Sequence, residues 1–312
     1  MNSVTSRSPD QPEVPDQSIR LPGGRVGVLL IHGLGGTPME MAYVAYGLAR
    51  AGHTVHVPRL AGHCRELSDL KASRWQDWYG SVEAEHRELR KVCDTVVVGG
   101  LSMGAVLALH HAANYRTEVS GLALYAPCFW LDGWSMPWYS AFIGLLPTKA
   151  LADLFSFVER HPYGVKDERT REIVKQAMSS GDSSRAGVAA LPGGQLMELH
   201  RLVRTVKQEL PSIMQPTLVL HPREDDHASL RNLEYVQSRL GGRTEAVVLE
   251  DSFHIVTIDK QRQLVVNRTA QFIEALSRVR RPPQHIDASN DFGEIARASA
   301  VSIKDSRHRR AG

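Results

Sequence analysis

The sequence has few of the features that mark secreted, membrane-spanning or nucleic-acid-binding proteins. Its 312 residues contain three cysteines, which are too few and odd in number for a disulfide framework. No apolar run approaches the length of a membrane span, and residues 1–20 lack the apolar segment that a signal peptide needs. The formal net charge of +3 is too small to indicate nucleic acid as a partner. These absences favour a soluble, cytoplasmic protein.

Motifs for metals and nucleotide cofactors are also missing. No set of His, Cys and Asp residues has metal-ligand spacing. The stretch His32-Gly33-Leu34-Gly35-Gly36 is rich in glycine but does not follow the Gly-x-Gly-x-x-Gly pattern of dinucleotide sites. No Gly-Lys-Ser or Gly-Lys-Thr of a P-loop occurs. We therefore expect no metal and no cofactor.

Two blocks of sequence alternate between apolar runs and helical segments, which predicts an α/β fold with a mostly parallel sheet and helices on both faces. Strands are expected at residues 26–31, 54–58, 95–98, 119–126, 216–220 and 246–249. We interpret residues 21–127 and 211–280 as this core, and residues 128–210, where the alternation breaks, as an inserted helical cap. Residues 1–20 are predicted to be disordered, and residues 281–312 to form a basic flexible tail.

The stretch from Gly100 to Gly104 is a Gly-x-Ser-x-Gly between a predicted strand and an Ala- and Leu-rich helix. A serine on so tight a strand-to-helix turn stands clear of the backbone, so that a substrate and a base can both reach it. Neighbouring chain comes close to such a turn, which favours residues without a Cβ on both sides. Because an ordinary loop can carry the same pattern, Ser102 is a candidate nucleophile only if partners exist.

Candidate partners follow two later strands. His254 lies just past the strand at residues 246–249. Acidic residues lie just past that strand and just past the strand at residues 216–220. Four acids are open as the partner of the histidine: Glu224, Asp225, Asp226 and Asp251. In an open α/β sheet, reacting groups gather at the carboxyl ends of strands. The chain order serine, acid, histidine is the one expected when the serine occupies a strand-to-helix turn.

Taken together, these motifs resemble the α/β-hydrolase superfamily, and within it the branch of monoacylglycerol-lipase-like proteins and small bacterial carboxylesterases. The matching residues are His32–Gly36, Gly62-His63, Gly100–Gly104, Asp225 and Ser252–Asp259. The resemblance covers residues 24–127 and 213–277 and does not extend to the cap.

The resemblance implies a serine hydrolase that cleaves carboxylic esters through an acyl-enzyme. It implies Ser102 as the nucleophile, His254 as the base and Asp225 as the acid that orients the histidine. It also implies an oxyanion hole formed by the backbone N–H groups of Leu34 and Met103.

Two positions depart from the family's pattern. Cys64 stands where the family usually has the second glycine of Gly-His-Gly, and we interpret it as a small buried residue without a redox role. Phe253 stands where a glycine usually precedes the catalytic histidine. The first departure bears on the geometry of its loop, and the second adds an apolar side chain beside the base.

The predicted cap begins with an aromatic segment that includes Trp130, Trp134, Trp138 and Phe142. Two interpretations compete: the rings pack the cap onto the core, or several of them line a pocket for a medium or long acyl chain. On the second interpretation, the substrate is a small-molecule acyl ester such as an acyl-glycerol or a lysophospholipid.

Two other functions stay open. An acyltransferase would use the same three residues but pass the acyl group to an acceptor other than water, whereas a non-catalytic binding protein would keep only the scaffold. The basic tail leaves peripheral contact with anionic lipid open, although a solvated tail is the simpler interpretation. The sequence carries no signal for an oligomeric state.

Overall fold

The computed structural model describes residues 16–179, 183 and 187–280. The chain falls into two compact units that divide between Glu274 and Ala275, and the described residues of the second unit, 275–280, are the end of one helix. Of the segment predicted to be disordered, residues 1–15 lie outside the described part. The predicted tail, residues 281–312, lies entirely outside it.

The described residues contain nine strands in two sheets. The strands are β1 (Ile19–Leu21), β2 (Val26–Ile31), β3 (Thr54–Val57), β4 (Thr95–Leu101), β5 (Val119–Tyr125), β6 (Ser156–Val158), β7 (Ala190–Pro192), β8 (Thr217–Pro222) and β9 (Thr244–Leu249). Seven of them form the main sheet, in the order β1-β3-β2-β4-β5-β8-β9. All neighbours in it pair in parallel except β1, which runs antiparallel to β3. The predicted fold class is thereby confirmed.

Helices connect these strands. They are α1 (Met39–Arg50), α2 (Leu67–Ala72), α3 (Trp75–Arg90), α4 (Met103–Asn114), α5 (Lys149–Ala152), α6 (Glu168–Ser179), α7 (Gly193–Glu209), α8 (Arg231–Arg239) and α9 (Arg262–Arg280), with 3-10 turns at Trp138–Leu145 and Leu210–Ser212. None of the described helices combines the length and the apolar character that crossing a bilayer requires.

The central strands are buried on both faces, as their continuous apolar runs indicate. Leu29 and Ile31 of β2 join one core cluster with Trp78 of α3 and Leu107 of α4. Leu30, between them along the strand, is equally buried outside that cluster, because successive side chains of a strand point to opposite faces. Helix α4 is apolar nearly all round and is buried from Met103 to Ala112, so it packs as a central helix.

Four short elements differ from the sequence-based expectation or lie outside it. Ile19 and Arg20, in the segment predicted to be disordered, belong to the edge strand β1. The cap segment is not purely helical, since β6 pairs antiparallel with β7. No expectation from the sequence covers the short helix α2. Elements of three to six residues carry too few side chains to show a period, and they form here through pairing or packing with distant chain.

The passage from β4 into α4 is very tightly packed. A Cβ on Gly100 would lie 2.3 Å from the backbone of Gly104, and a Cβ on Gly104 would lie 2.2 Å from the carbonyl oxygen of Ile31. Ser102, between the two glycines, has φ 57° and ψ −116°, a conformation that L-residues adopt only under strain. The tight turn predicted from the sequence is therefore present, and backbone contacts require both glycines.

Replacing Gly104 by alanine is expected to lower the free energy of unfolding by about 1–3 kcal/mol or more, because the new methyl group overlaps a carbonyl oxygen that cannot move freely. Gly80→Ala in α3 is the matched control, since nothing lies within 4 Å of its Cβ position. Alanine is the better helix former, so Gly80→Ala should raise the same quantity by up to about 1 kcal/mol. Urea unfolding measures the free energy of unfolding of both variants. Equal changes in the two would contradict the close contact between Gly104 and Ile31.

Candidate active site

Three side chains from three loops meet at the carboxyl edge of the main sheet. The hydroxyl of Ser102 donates to Nε2 of His254 at 2.8 Å, and Nδ1 of His254 donates to both carboxylate oxygens of Asp225 at 2.9 Å. Ser102 directly follows β4, while the other two follow β8 and β9. Because these strands run parallel, their carboxyl ends lie along one edge, and residues distant in sequence converge there.

Asp225 is buried and accepts hydrogen bonds from more than the histidine. Its Oδ1 also accepts from the backbone N–H groups of His227 at 2.8 Å and Ala228 at 2.7 Å. Burial by itself would raise the pKa of Asp225, but the charge and hydrogen bond of His254 hold that pKa below its usual range. The ionised carboxylate favours the His254 tautomer with the proton on Nδ1, which leaves Nε2 as the acceptor for Ser102.

The neighbouring Asp226 serves the backbone instead of the histidine ring. One carboxylate oxygen accepts from the N–H of His254 at 3.2 Å, and the other accepts from the N–H of Gly164 in the cap segment at 3.0 Å. Glu224 and Asp251 both pair with Lys166. Among the four acids that the sequence leaves open, all within the described residues, only Asp225 contacts the ring of His254.

The loop that follows β2 lies against the Ser102 turn. A Cβ on Gly33 would lie 3.8 Å from the Cβ of Ser102. The next N–H group, that of Leu34, has no hydrogen-bond partner among the described residues, and the same is true of the N–H of Met103 at the start of α4. These are the two N–H groups assigned to an oxyanion hole by resemblance.

Buried His63 holds this loop in place. Its Nε2 accepts from the N–H of Gly35 at 3.1 Å, and its Nδ1 donates to the carbonyl oxygen of Ala61 at 3.1 Å. Burial lowers the pKa of His63 to about 4, so the ring is neutral and able to accept. The following residue, Cys64, has φ 58°, so it takes the left-handed conformation that glycine would adopt without strain. Cysteine in place of the usual glycine therefore preserves the turn, but the backbone of Cys64 is strained.

Three titratable residues that the sequence did not single out border the site. The ring of His227 lies edge-on to that of His254, with centroids 4.8 Å apart, and its Nε2 is 3.5 Å from a carboxylate oxygen of Glu159 in the cap segment. Burial would lower the pKa of His227, but Glu159 and the nearby aspartates raise it to about 10, so the ring is positively charged. Glu40 accepts from the N–H of Gly33 at 3.0 Å, and burial raises the pKa of Glu40 to about 7.

No sequence signal could have found these residues. Glu40, Glu159 and His227 lie far apart along the chain, and only packing of the cap segment against the core brings them to one place. Their residue types alone fit solvated surface positions equally well.

A cavity of about 170 Å³ opens beside Ser102. Most of its walls are apolar and include Leu34, Leu131, Met136, Tyr139, Phe157, Leu191, Leu196 and Leu199. Its polar lining is concentrated in a few side chains, among them Glu40, Glu159, Arg160, His227 and His254. The cavity therefore offers an apolar wall and a charged wall to a substrate that reaches the Ser102 hydroxyl.

The four aromatic residues that the sequence suggested as lining of an acyl pocket are not in the described lining of this cavity. Trp130 lines a second cavity. Trp134 is 62% exposed and packs edge-on against Phe253 with centroids 5.6 Å apart, and Phe142 is 55% exposed. The side chain of Trp138 lies outside the described part. The role of these four residues in substrate binding stays a prediction. The contact with Trp134 shows that Phe253, beside the histidine, packs against the cap segment.

Comparison with known proteins gives relatives that are named as lipases or esterases. A thermostable monoacylglycerol lipase of Bacillus sp. (strain H-257) is 28% identical over 250 residues, covering 80% of this chain and 90% of that protein. A carboxylesterase of Bacillus subtilis (strain 168) is 24% identical over 259 residues, covering 81% of this chain and 94% of that protein. A solved structure from work on the metagenome-derived lipolytic enzymes LipS and LipT has a TM-score of 0.71 and 26% identity, covering 83% of this chain and 98% of that chain.

The family comparison covers most of the chain. The model of the serine aminopeptidase S33 family matches residues 25–261, which include all three strand-end loops and the cap segment between them. The match agrees with the sheet order, the strained serine and the hydrogen-bonded histidine. The chain therefore belongs to the serine aminopeptidase S33 family of serine hydrolases, with the α/β-hydrolase fold.

Proposed function

We propose that this protein hydrolyses carboxylic esters through an acyl-enzyme formed on Ser102. The observation that carries the proposal is the continuous hydrogen-bond chain from Ser102 through His254 to Asp225, at 2.8 and 2.9 Å. A serine hydroxyl is a poor nucleophile by itself, and this chain supplies the base and the group that orients the base. The activities after which the two relatives are named, monoacylglycerol lipase and carboxylesterase, support esters as the substrate class.

In the first half-reaction, Ser102 Oγ attacks the ester carbonyl carbon while Nε2 of His254 takes the hydroxyl proton. Asp225 stabilises the imidazolium ion that forms and does not itself become protonated. The tetrahedral oxyanion is met by the N–H groups of Leu34 and Met103, and loss of one such donor typically costs about 2.7–4 kcal/mol. Met103 begins α4, whose N-terminal dipole also favours the negative charge.

Collapse of this intermediate breaks the bond to the alcohol, which leaves with the proton held by His254. Water then attacks the acyl-enzyme, with His254 as general base again, and the acid product and free Ser102 result. Water rather than another acceptor is the default, and no contact in the described residues favours an acyltransferase. Competition by added alcohols for the acyl group distinguishes the two.

The two walls of the cavity suggest where the acyl chain and the alcohol of an ester bind. The apolar wall, which includes Phe157 and Leu199, suits an acyl chain, because burial of each CH₂ group contributes about 0.8 kcal/mol. The charged wall of Glu159 and His227 suits a small alcohol that carries hydroxyl groups, as in an acyl-glycerol or a lysophospholipid. We infer that acyl esters of polar alcohols are the substrates.

Ser102→Ala is expected to lower kcat/KM for a p-nitrophenyl ester by about 10⁴-fold or more, because the nucleophile is removed. Labelling by a fluorophosphonate should be lost as well. Ser120→Ala is the matched control: Ser120 is a buried serine in β5, and its Oγ has no partner among the described residues. This control should keep both activity and labelling, whereas activity that survives Ser102→Ala would overturn the mechanism.

Asp225→Asn and Asp226→Asn should separate the two adjacent carboxylates. At position 225 the amide NH₂ cannot accept from Nδ1–H of His254, so the wrong tautomer is favoured and kcat should fall by about 10⁴-fold. At position 226 one backbone N–H loses its acceptor, so the free energy of unfolding should fall by about 1–3 kcal/mol while kcat changes less than about tenfold. Kinetics and urea unfolding test this ranking, and its reversal would exclude Asp225 as the orienting acid.

A panel of p-nitrophenyl esters should show kcat/KM rising about fourfold per added CH₂ from acetyl upward, until the apolar wall is filled. Met136→Trp, which enlarges a side chain in the cavity lining, should move the optimum to a shorter acyl chain. Met214→Trp, at a position that is 65% exposed and outside that lining, should leave the optimum unchanged. A flat profile in the wild-type enzyme would contradict an acyl-binding role for the cavity.

A further inference from the structure

A second cavity, of about 420 Å³, lies beside the Ser102 cavity, and Leu131 lines both. Its walls come from the start of the cap segment, the 3-10 turn at Trp138–Leu145, helix α7 and the first residue of α8. Four basic side chains line it: His200, Arg204, Lys207 and Arg231. The proposed ester hydrolysis uses none of them.

Helix geometry gathers three of these basic groups on one surface. His200, Arg204 and Lys207 follow one another at four and three residues along α7, a spacing that puts side chains on one face of a helix. Arg231 approaches them from α8. The cluster therefore follows from the way α7 and α8 pack and is not a run of neighbours in the sequence.

Trp130 holds two of the cations in position. The Nζ of Lys207 lies 3.9 Å from the centre of the Trp130 ring, and the Cζ of Arg231 lies 4.4 Å from it. Cation–π contacts at such distances stabilise the placement of a positive charge without neutralising it. The two cationic groups are thus kept close together while their charge stays available.

Within the described part of the chain, no carboxylate forms an ion pair with Arg204, Lys207 or Arg231. One acid, Asp132, lies in the cavity lining, but its oxygens accept from the N–H and hydroxyl of Ser229 at 2.9 Å and from the side-chain amide of Asn232 at 3.1 Å. Burial and then the charge of Arg231 lower the pKa of Lys207, as expected where like charges repel without a counter-ion. The cavity therefore holds an excess of positive charge.

We propose that this cavity binds a phosphate group. The positive charges of Arg204, Lys207 and Arg231 and one carboxylate leave a net charge of about +2, which matches a phosphate monoester at neutral pH. The two guanidinium groups supply paired N–H donors of the geometry that phosphate oxygens accept. Leu145, which lines the same cavity, is 78% exposed and offers an apolar neighbour to the phosphate. The phosphate belongs either to a lipid headgroup or to a free phosphate, and the two sources share this recognition chemistry.

The double variant Lys207→Gln/Arg231→Gln tests the site, because it removes two cations that lie outside the Ser102 cavity. Arg50→Gln/Lys71→Gln is the matched control, since it removes the same charge from two exposed positions elsewhere. Turnover of p-nitrophenyl acetate by all three proteins checks that each is folded. Binding is measured in two arms, with inorganic phosphate by calorimetry and with vesicles by sedimentation.

A site for free phosphate predicts that inorganic phosphate binds to the wild-type protein and to the control in the first arm, with sodium chloride of equal ionic strength as the blank. A site for a lipid headgroup predicts that vesicles containing phosphatidic acid sediment more protein than vesicles of phosphatidylcholine alone in the second arm. The double variant should weaken binding by about tenfold or more in the arm that detects the ligand, because each lost cation removes charge-assisted hydrogen bonds.

The outcomes distinguish the sources. Binding in the first arm that is lost in the double variant assigns a site for free phosphate. Binding only in the second arm, again lost in the double variant, assigns a lipid headgroup. The proposal is overturned if the wild-type protein binds in neither arm, if the double variant binds as well as the wild type, or if the control loses as much affinity as the double variant.

Discussion

The close approach of backbones where β4 turns into α4 is the constraint on which the site depends. Gly104 packs against the carbonyl of Ile31 so closely that a single methyl group would overlap it. This contact places Ser102 in strained φ/ψ and brings the start of α4 against the end of β2. The loop after β2, with the N–H of Leu34, consequently lies beside the serine. One packing contact thus sets both the nucleophile's exposure and the position of its proposed oxyanion donors.

The loop after β8 connects this turn to the cap segment. The two adjacent aspartates have different partners. Asp225 accepts a hydrogen bond from the ring of His254, whereas Asp226 accepts hydrogen bonds from the backbone N–H groups of His254 and Gly164. The carbonyl of Asp226 also accepts from the N–H of Ser135 at 2.9 Å and from its hydroxyl at 2.7 Å. Because the same few residues orient the proposed base and anchor the cap segment, the shape of the cavity and the geometry of the base are physically coupled.

Charge is distributed unevenly around Leu131. On one side lies a largely apolar cavity, in which the pair Glu159 and His227 balances its own charge. On the other side lies a basic cavity in which Lys207 and Arg231 lie over the Trp130 ring, and no described carboxylate pairs with either of them. Unpaired like charges cost stability, so an arrangement of this kind favours a bound anion over an empty site. The cap segment therefore contributes to two surfaces of opposite chemical character.

The sequence by itself determined the alternation of strands and helices, the Gly-x-Ser-x-Gly turn and the approximate position of the acid and the histidine. These features are local, and the parallel order of the strands brings the ends of β4, β8 and β9 to one edge without further information. The residues by themselves left four acids open, and only the family resemblance singled out Asp225, the aspartate that contacts His254 in the folded structure. Tertiary structure alone decided which cap side chains line the cavity and that Glu159 meets His227. Residue type and period do not encode these choices, because they depend on how a segment without strong periodicity packs against distant chain.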